Sequence, residues 1–128
     1  DNTNMPMPRI TKEALKERLD AVGATAPLII DARLKYPYEH STVKLPGAMR
    51  IAPPHFDISD LPRDREIVAY DSDLDEIVST RLVAKLIREG YKASVLKGGI
   101  VEWLAVKFPT EQKEAPKQKP PKAGSLKG

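Results

Sequence analysis

"REIVAYDSDLDEIVSTRLVAKLIREG", residues 65–90, holds in order an apolar run, four acids within six residues and an apolar stripe at helical spacing. Ile67 to Tyr70 read as a short strand buried on both faces, because no polar residue interrupts them. Val78, Leu82 and Leu86 recur every four residues, as do Val83 and Ile87, so they share one side of a helix that Gly90 can end. A strand that passes through a short loop into a helix is the building unit of α/β folds. Such folds keep their chemistry on loops at the carboxyl ends of strands. Here that loop is Asp71, Ser72, Asp73, Leu74, Asp75 and Glu76.

The same alternation extends outward. "TKEALKERLDAVG" starts a helix on Thr11 as N-cap, sets Leu15 and Leu19 on one face and offers Gly23 as a stop. "APLIID" is a second buried strand, "YPYEHS" a helical turn or loop, and "LPGAMRIA" a Pro-Gly turn leading to a strand at Met49 to Ile51. Pro53 and Pro54 open an irregular connection that runs to Asp64. Beyond the decisive stretch, "KASVL" gives a strand, "KGG" a turn and "IVEWLAVK" a short amphipathic helix. The expected fold is a three-layer α/β domain, with a sheet of about five mainly parallel strands covered by helices on both faces.

A chain of 128 residues, 41% apolar and 30% charged, suits one globular domain. Residues 1–8 read as a flexible arm, 9–109 as the domain and 110–128 as a disordered Lys/Pro-rich tail. The formal charge of +3 belongs to that tail, whose five lysines face two glutamates; sixteen basic and sixteen acidic side chains balance elsewhere. With no basic face on the domain, nucleic acid is not an expected partner. No apolar run is long enough for a membrane span. A soluble monomer is expected, either cytoplasmic or exported after removal of a segment preceding Asp1. The absence of cysteine excludes disulfides and thiol chemistry and leaves the compartment open.

A loop entering a helix makes an anion cradle, since the first helical amides lack partners and the helix dipole is positive there. Four carboxylates in that place have a plain reading as capping acids, each worth about 0.3–1 kcal/mol. A calcium loop fits poorly, because the glycine and the distal glutamate of that motif are missing. "IVAYDSDLD" also resembles the DxDx signature of haloacid dehalogenase-like phosphatases, which would make Asp71 a nucleophile, although fewer than 60 residues follow it. A third reading is a nucleophile position whose reaction this copy cannot perform.

An ordered set of signatures begins with Asp31-Ala32-Arg33 after the first core strand, Pro46-Gly47-Ala48, and Tyr70 just before the loop. Ser79 and Arg81 on the helix, Gly90-Tyr91, and Gly98-Gly99 with Trp103 complete it. Over roughly residues 9 to 108 this set resembles the rhodanese-like family. The resemblance implies that the residue after Tyr70 is a cysteine carrying a persulfide, within a six-residue loop of sulfurtransferase length. Asp71 stands there instead, and Lys44-Leu45 stands where the family has a histidine. A carboxylate forms no persulfide. Four like charges would also oppose an anionic substrate by several kcal/mol each, at about 4 Å and an effective dielectric near 20.

Other residues have two readings each. Asp31 and Arg33 are neighbours of the former pocket, or they close a salt bridge at the strand end. Lys97 is a candidate partner for the acidic loop, and Trp103 a core or rim aromatic. His40 and His55 lack ligand spacing, so no metal and no cofactor is expected. Ser72 and Ser79 lack a base. The sequence thus points to a catalytically inactive rhodanese-like module for protein interaction or regulation, whose acidic loop faces an unidentified protein partner, a basic surface being one candidate. The alternative is residual sulfurtransferase or DxDx-type phosphatase activity using Asp71.

Overall fold

The computed structural model of the chain describes residues 6–21, 23, 25–73 and 76–113. In order these form β1 (Arg9–Ile10), α1 (Lys12–Asp20), β2 (Leu28–Asp31), α2 (Lys35–Glu39), β3 (Val43–Lys44), β4 (Met49–Arg50), β5 (Ile67–Tyr70), α3 (Ile77–Arg88), β6 (Ala93–Leu96), α4 (Gly99–Ala105) and β7 (Glu111–Gln112). Five strands lie in the order β1-β6-β5-β2-β4, and every neighbouring pair is parallel.

All four residues of β5 are buried, because a central parallel strand is covered on both faces. Its side chains alternate. Ile67 and Ala69 meet Val78, Leu82, Val83 and Leu86 of α3, while Val68 and Tyr70 meet Leu15 of α1 and Ile100 and Trp103 of α4. The sheet therefore has a core on each side, and each fully buried aliphatic side chain contributes about 1.5–3 kcal/mol. The stripe on α3 is as its spacing predicts, except that Ile87 lies at its margin and is 41% exposed.

Local chemistry sets the ends of the helices. The Ala14 amide donates to Thr11 Oγ1 at 3.0 Å, so Thr11 caps α1. Past α3, Gly90 takes a φ of +92°, which lets the Tyr91 amide turn back to the Leu86 carbonyl at 2.9 Å. The helix α1 stops at Asp20, short of Gly23.

Three short strands depart from the sequence reading. β1 continues out of the segment read as an arm; Val95 donates to the Pro8 carbonyl at 2.9 Å and Met7 packs on the core. β3 and β7 form a separate antiparallel pair, and the Lys113 amide donates to the Thr42 carbonyl at 2.9 Å. The described chain thus runs to Lys113, into the segment 110–128 read as a tail; residues 114–128 lie outside the described residues. Two-residue strands carry no periodicity, so pattern reading passes over them. Trp103 aims the chain at this pairing. It is fully buried, and its Nε1 donates to the Pro109 carbonyl at 2.8 Å.

Gly99 sits where α4 meets the end of β5. The Ile100 amide donates to the Asp71 carbonyl at 3.0 Å, and a Cβ on Gly99 would lie 2.4 Å from that oxygen. The residue also has a φ of +59°. Gly99→Ala is expected to lower the unfolding free energy by at least about 2 kcal/mol, from left-handed strain plus the clash. Urea melts check this, and an unchanged midpoint would contradict it.

Candidate functional site

Parallel pairing brings the carboxyl ends of the central strands together. Asp31 lies opposite Tyr70 across β2 and β5, and Arg50 lies opposite Asp31 across β2 and β4. Asp31 and Arg33 are 1% and 2% exposed and form an ion pair, with Arg33 Nη2 at 2.6 Å from Asp31 Oδ2. Arg33 Nε donates to the same carboxylate at 3.0 Å, and the Arg33 amide donates to Oδ1 at 3.1 Å. Tyr70 donates its hydroxyl proton to Asp31 Oδ2 at 2.9 Å and accepts from the Leu45 amide at 3.2 Å. Burial first, and then the Asp31 charge, push the Tyr70 hydroxyl far up, so it stays a donor. Both Asp31 oxygens and the Tyr70 hydroxyl are thus partnered within the chain.

A second layer of cations surrounds Tyr38. Arg50 lies 4.0 Å and Lys113 3.9 Å from its ring centre, and Arg33 lies 5.4 Å away. Arg50 donates to the Arg33 carbonyl at 2.5 Å, and Lys113 donates to the Tyr38 carbonyl. Burial holds both Arg50 and Lys113 below their ordinary values. This layer ties α2 and the C-terminal segment to the strand ends.

The loop after β5 is arranged differently from the outward anionic surface that the sequence reading expects. Asp71 is 1% exposed. Its Oδ2 accepts from the Ser79 amide in the first turn of α3 at 2.6 Å, and its Oδ1 accepts from the Asp73 amide at 2.8 Å. Burial pushes its carboxyl up, and those two amides oppose the shift. Glu76, at the cap position of α3, has a φ of +61° and makes no cap bond of its own. It turns inward instead and is 5% exposed. There it accepts from Arg9 Nε and Nη2 at 2.7 and 2.6 Å and from the Gly98 amide at 3.0 Å. Burial disfavours its charge, but the Arg9 guanidinium and the Gly98 amide outweigh this and hold Glu76 below the usual carboxylate range.

Two of the four acids are therefore internal. Asp73 and Ser72 are half-buried, and Leu74 and Asp75 lie outside the described residues. The ion-pair partner of Glu76 is Arg9 rather than Lys97. Sequence reasoning missed Arg9 because it sits 67 positions away on a two-residue strand. Ser79 is fully buried in α3, and His40 stacks on Tyr36. No group of three His, Asp or Glu side chains among the described residues is placed to hold a metal ion. No described helix is long and apolar enough to cross a membrane.

Beside the loop opens a cavity of about 360 Å³ between the start of α2, the segment after β4 and the first turns of α3. Leu34, Pro53, Phe56 and Val78 give it apolar walls, and among the described residues its charged lining is Lys35 and Arg81.

A five-stranded parallel sheet in this order, flanked by helices, defines a rhodanese-like α/β domain. Residues 11–106 match the sequence profile of the rhodanese-like domain, and the chain belongs to that family. A crystal structure of a protein from Anabaena sp. superposes with a TM-score of 0.66 at 32% identity, over 80% of this chain and 81% of that one. The solution structure of the rhodanese-like domain from an Anabaena protein gives 0.66 at 29% identity, over 83% and 80%. A rhodanese-like domain protein from Staphylococcus aureus shares the fold, with a TM-score of 0.65 at 21% identity over 84% and 100%. No curated protein sequence matches the chain. With no cysteine in its sequence, this member carries no thiol on which a persulfide could form.

Removing one partner of a buried ion pair strands the other, so Arg33→Met is expected to cost about 3–5 kcal/mol in urea melts. A loss below 1 kcal/mol would contradict the network described. Glu76 makes a pH-dependent prediction. Its folded-state pKa lies below the unfolded 4.5, so its contribution is present above that value and is lost as the pH falls through the folded one. Glu76→Gln should therefore be less stable than the parent at neutral pH, with the gap closing as the medium is acidified below about pH 4. A gap independent of pH would show that the Arg9 contact contributes nothing through charge.

Proposed function

We propose that this chain is a catalytically silent rhodanese-like domain that works as a protein-interaction or regulatory module. The observation that carries the reading is Asp71. It follows Tyr70 at the amino end of α3, the place that the family resemblance gives to the sulfur-carrying cysteine, and its two oxygens are bound by the amides of Ser79 and Asp73.

Sulfur transfer requires a thiolate that attacks the outer sulfur of thiosulfate, releases sulfite and then hands the sulfur on. A carboxylate oxygen supports neither half of that exchange. The phosphatase alternative asks Asp71 to attack phosphorus in line, with magnesium bound nearby. Burial and the engagement of both oxygens weigh against it, as a nucleophile needs a free lone pair directed at its substrate. As a binding module the domain needs only a stable surface, and the satisfied strand-end network supports that role.

Purified chain is expected to form thiocyanate from thiosulfate and cyanide no faster than buffer, and to hydrolyse no generic phosphoester with magnesium. Clear turnover in either assay, lost on Asp71→Asn, would overturn the reading. Asp71→Cys restores a sulfur but deletes the carboxylate that holds α3, so at most poor sulfurtransferase activity is expected from it.

A further inference from the structure

We propose that the cavity beside the loop docks an acidic peptide segment of a partner protein, with an apolar side chain in the cavity and carboxylates on Lys35 and Arg81. This rests on the reading of the domain as an interaction module, and it reverses the partner charge that the sequence alone implies.

Charge comes first. Asp71 and Glu76 are committed to the Ser79 and Asp73 amides and to Arg9, so they do not neutralise the cavity. Among the described residues, Lys35 and Arg81 are exposed and make no ion pair, and no carboxylate lines the cavity. They stand on different elements, α2 and α3, with apolar walls also contributed from the segment after β4. A ligand with negative charge flanking one apolar group satisfies both.

The apolar part is also built in advance. Phe56 is buried with a φ of +52°, an unusual conformation for an aromatic residue. Lys85 donates to the His55 and Phe56 carbonyls at 3.2 and 2.9 Å and holds that segment against α3. Across the cavity Leu34 is 45% exposed and lines the same recess, so an anchoring side chain would cover it on binding. A volume of about 360 Å³ is at the small end for ligand sites and suits one anchoring side chain rather than a large cofactor. Exposed cations around such an anchor make association salt-sensitive and select against basic partners.

The test is selection of a random linear peptide library on the full chain, followed by fluorescence polarisation of the enriched peptides. Enriched sequences are expected to place Asp or Glu on both sides of Leu, Phe or a similar residue. Their affinity should fall about tenfold or more with Lys35→Glu/Arg81→Glu, and also at high salt. Leu34→Ser, a surface change, should weaken them while leaving the urea midpoint of the chain unchanged. Four results would overturn the proposal: no enrichment, enrichment of Lys/Arg peptides whose binding depends on Asp73, equal binding by the double variant, or displacement by phenylbutyrate at the peptide's own affinity. The second of these leaves the interaction-module reading intact, and the last means a small-carboxylate site. Turnover of thiosulfate would defeat the functional reading and leave the peptide result standing by itself.

Discussion

The contact between the Asp71 carboxylate and the first amides of α3 governs the rest of this edge of the molecule. A helix start presents unpaired N–H groups and a positive dipole end, and it takes an anion from wherever one is supplied. In this chain the anion is internal and covalently fixed. Burial works against the charge, the two backbone amides favour it, and the carboxyl remains raised as the balance of the two. An external anion would have to compete with a group already held at 2.6 Å.

Fixing that carboxylate also fixes its neighbours. The Asp71 carbonyl receives the Ile100 amide across a gap that only glycine at position 99 leaves open. Glu76 then reaches both the Gly98 amide and Arg9, joining the start of α3 to the β6-α4 turn and to the edge strand β1. On the other side of Tyr70, the Asp31-Arg33 pair and Arg50 close the strand ends. The outcome is an edge whose buried carboxylates Asp31, Asp71 and Glu76 are each paired within the chain, with an apolar, cationic recess beside it. Under the proposed function such an edge serves recognition, since turnover needs groups left unsatisfied until substrate arrives.

Much of the fold is legible in the sequence because its core elements have strong periodicity. Ile67 to Tyr70 and Leu28 to Ile30 announce buried strands, the i+4 stripe from Val78 to Leu86 announces α3, and Thr11 marks the start of α1. The short strands are not legible. Arg9–Ile10, Val43–Lys44 and Glu111–Gln112 are held by main-chain bonds and by long-range partners such as Glu111 on the Gly47 amide, which leave no local pattern. At the candidate site, the sequence shows which side chains share the loop but not where each one points. Four acids in six residues read as a charged surface, yet the fate of each depends on a partner distant in sequence: Arg9 for Glu76 and the Ser79 amide for Asp71. Neither charge counting nor spacing carries that information.

The most direct test of the central claim is an NMR titration that follows the Ser79 and Asp73 amides while thiosulfate is added to the intact chain. With the Asp71 carboxylate already on those amides, neither resonance should show a saturable shift. A saturable shift at Ser79 and Asp73 would mean that the helix start still receives external anions, and the account would fail.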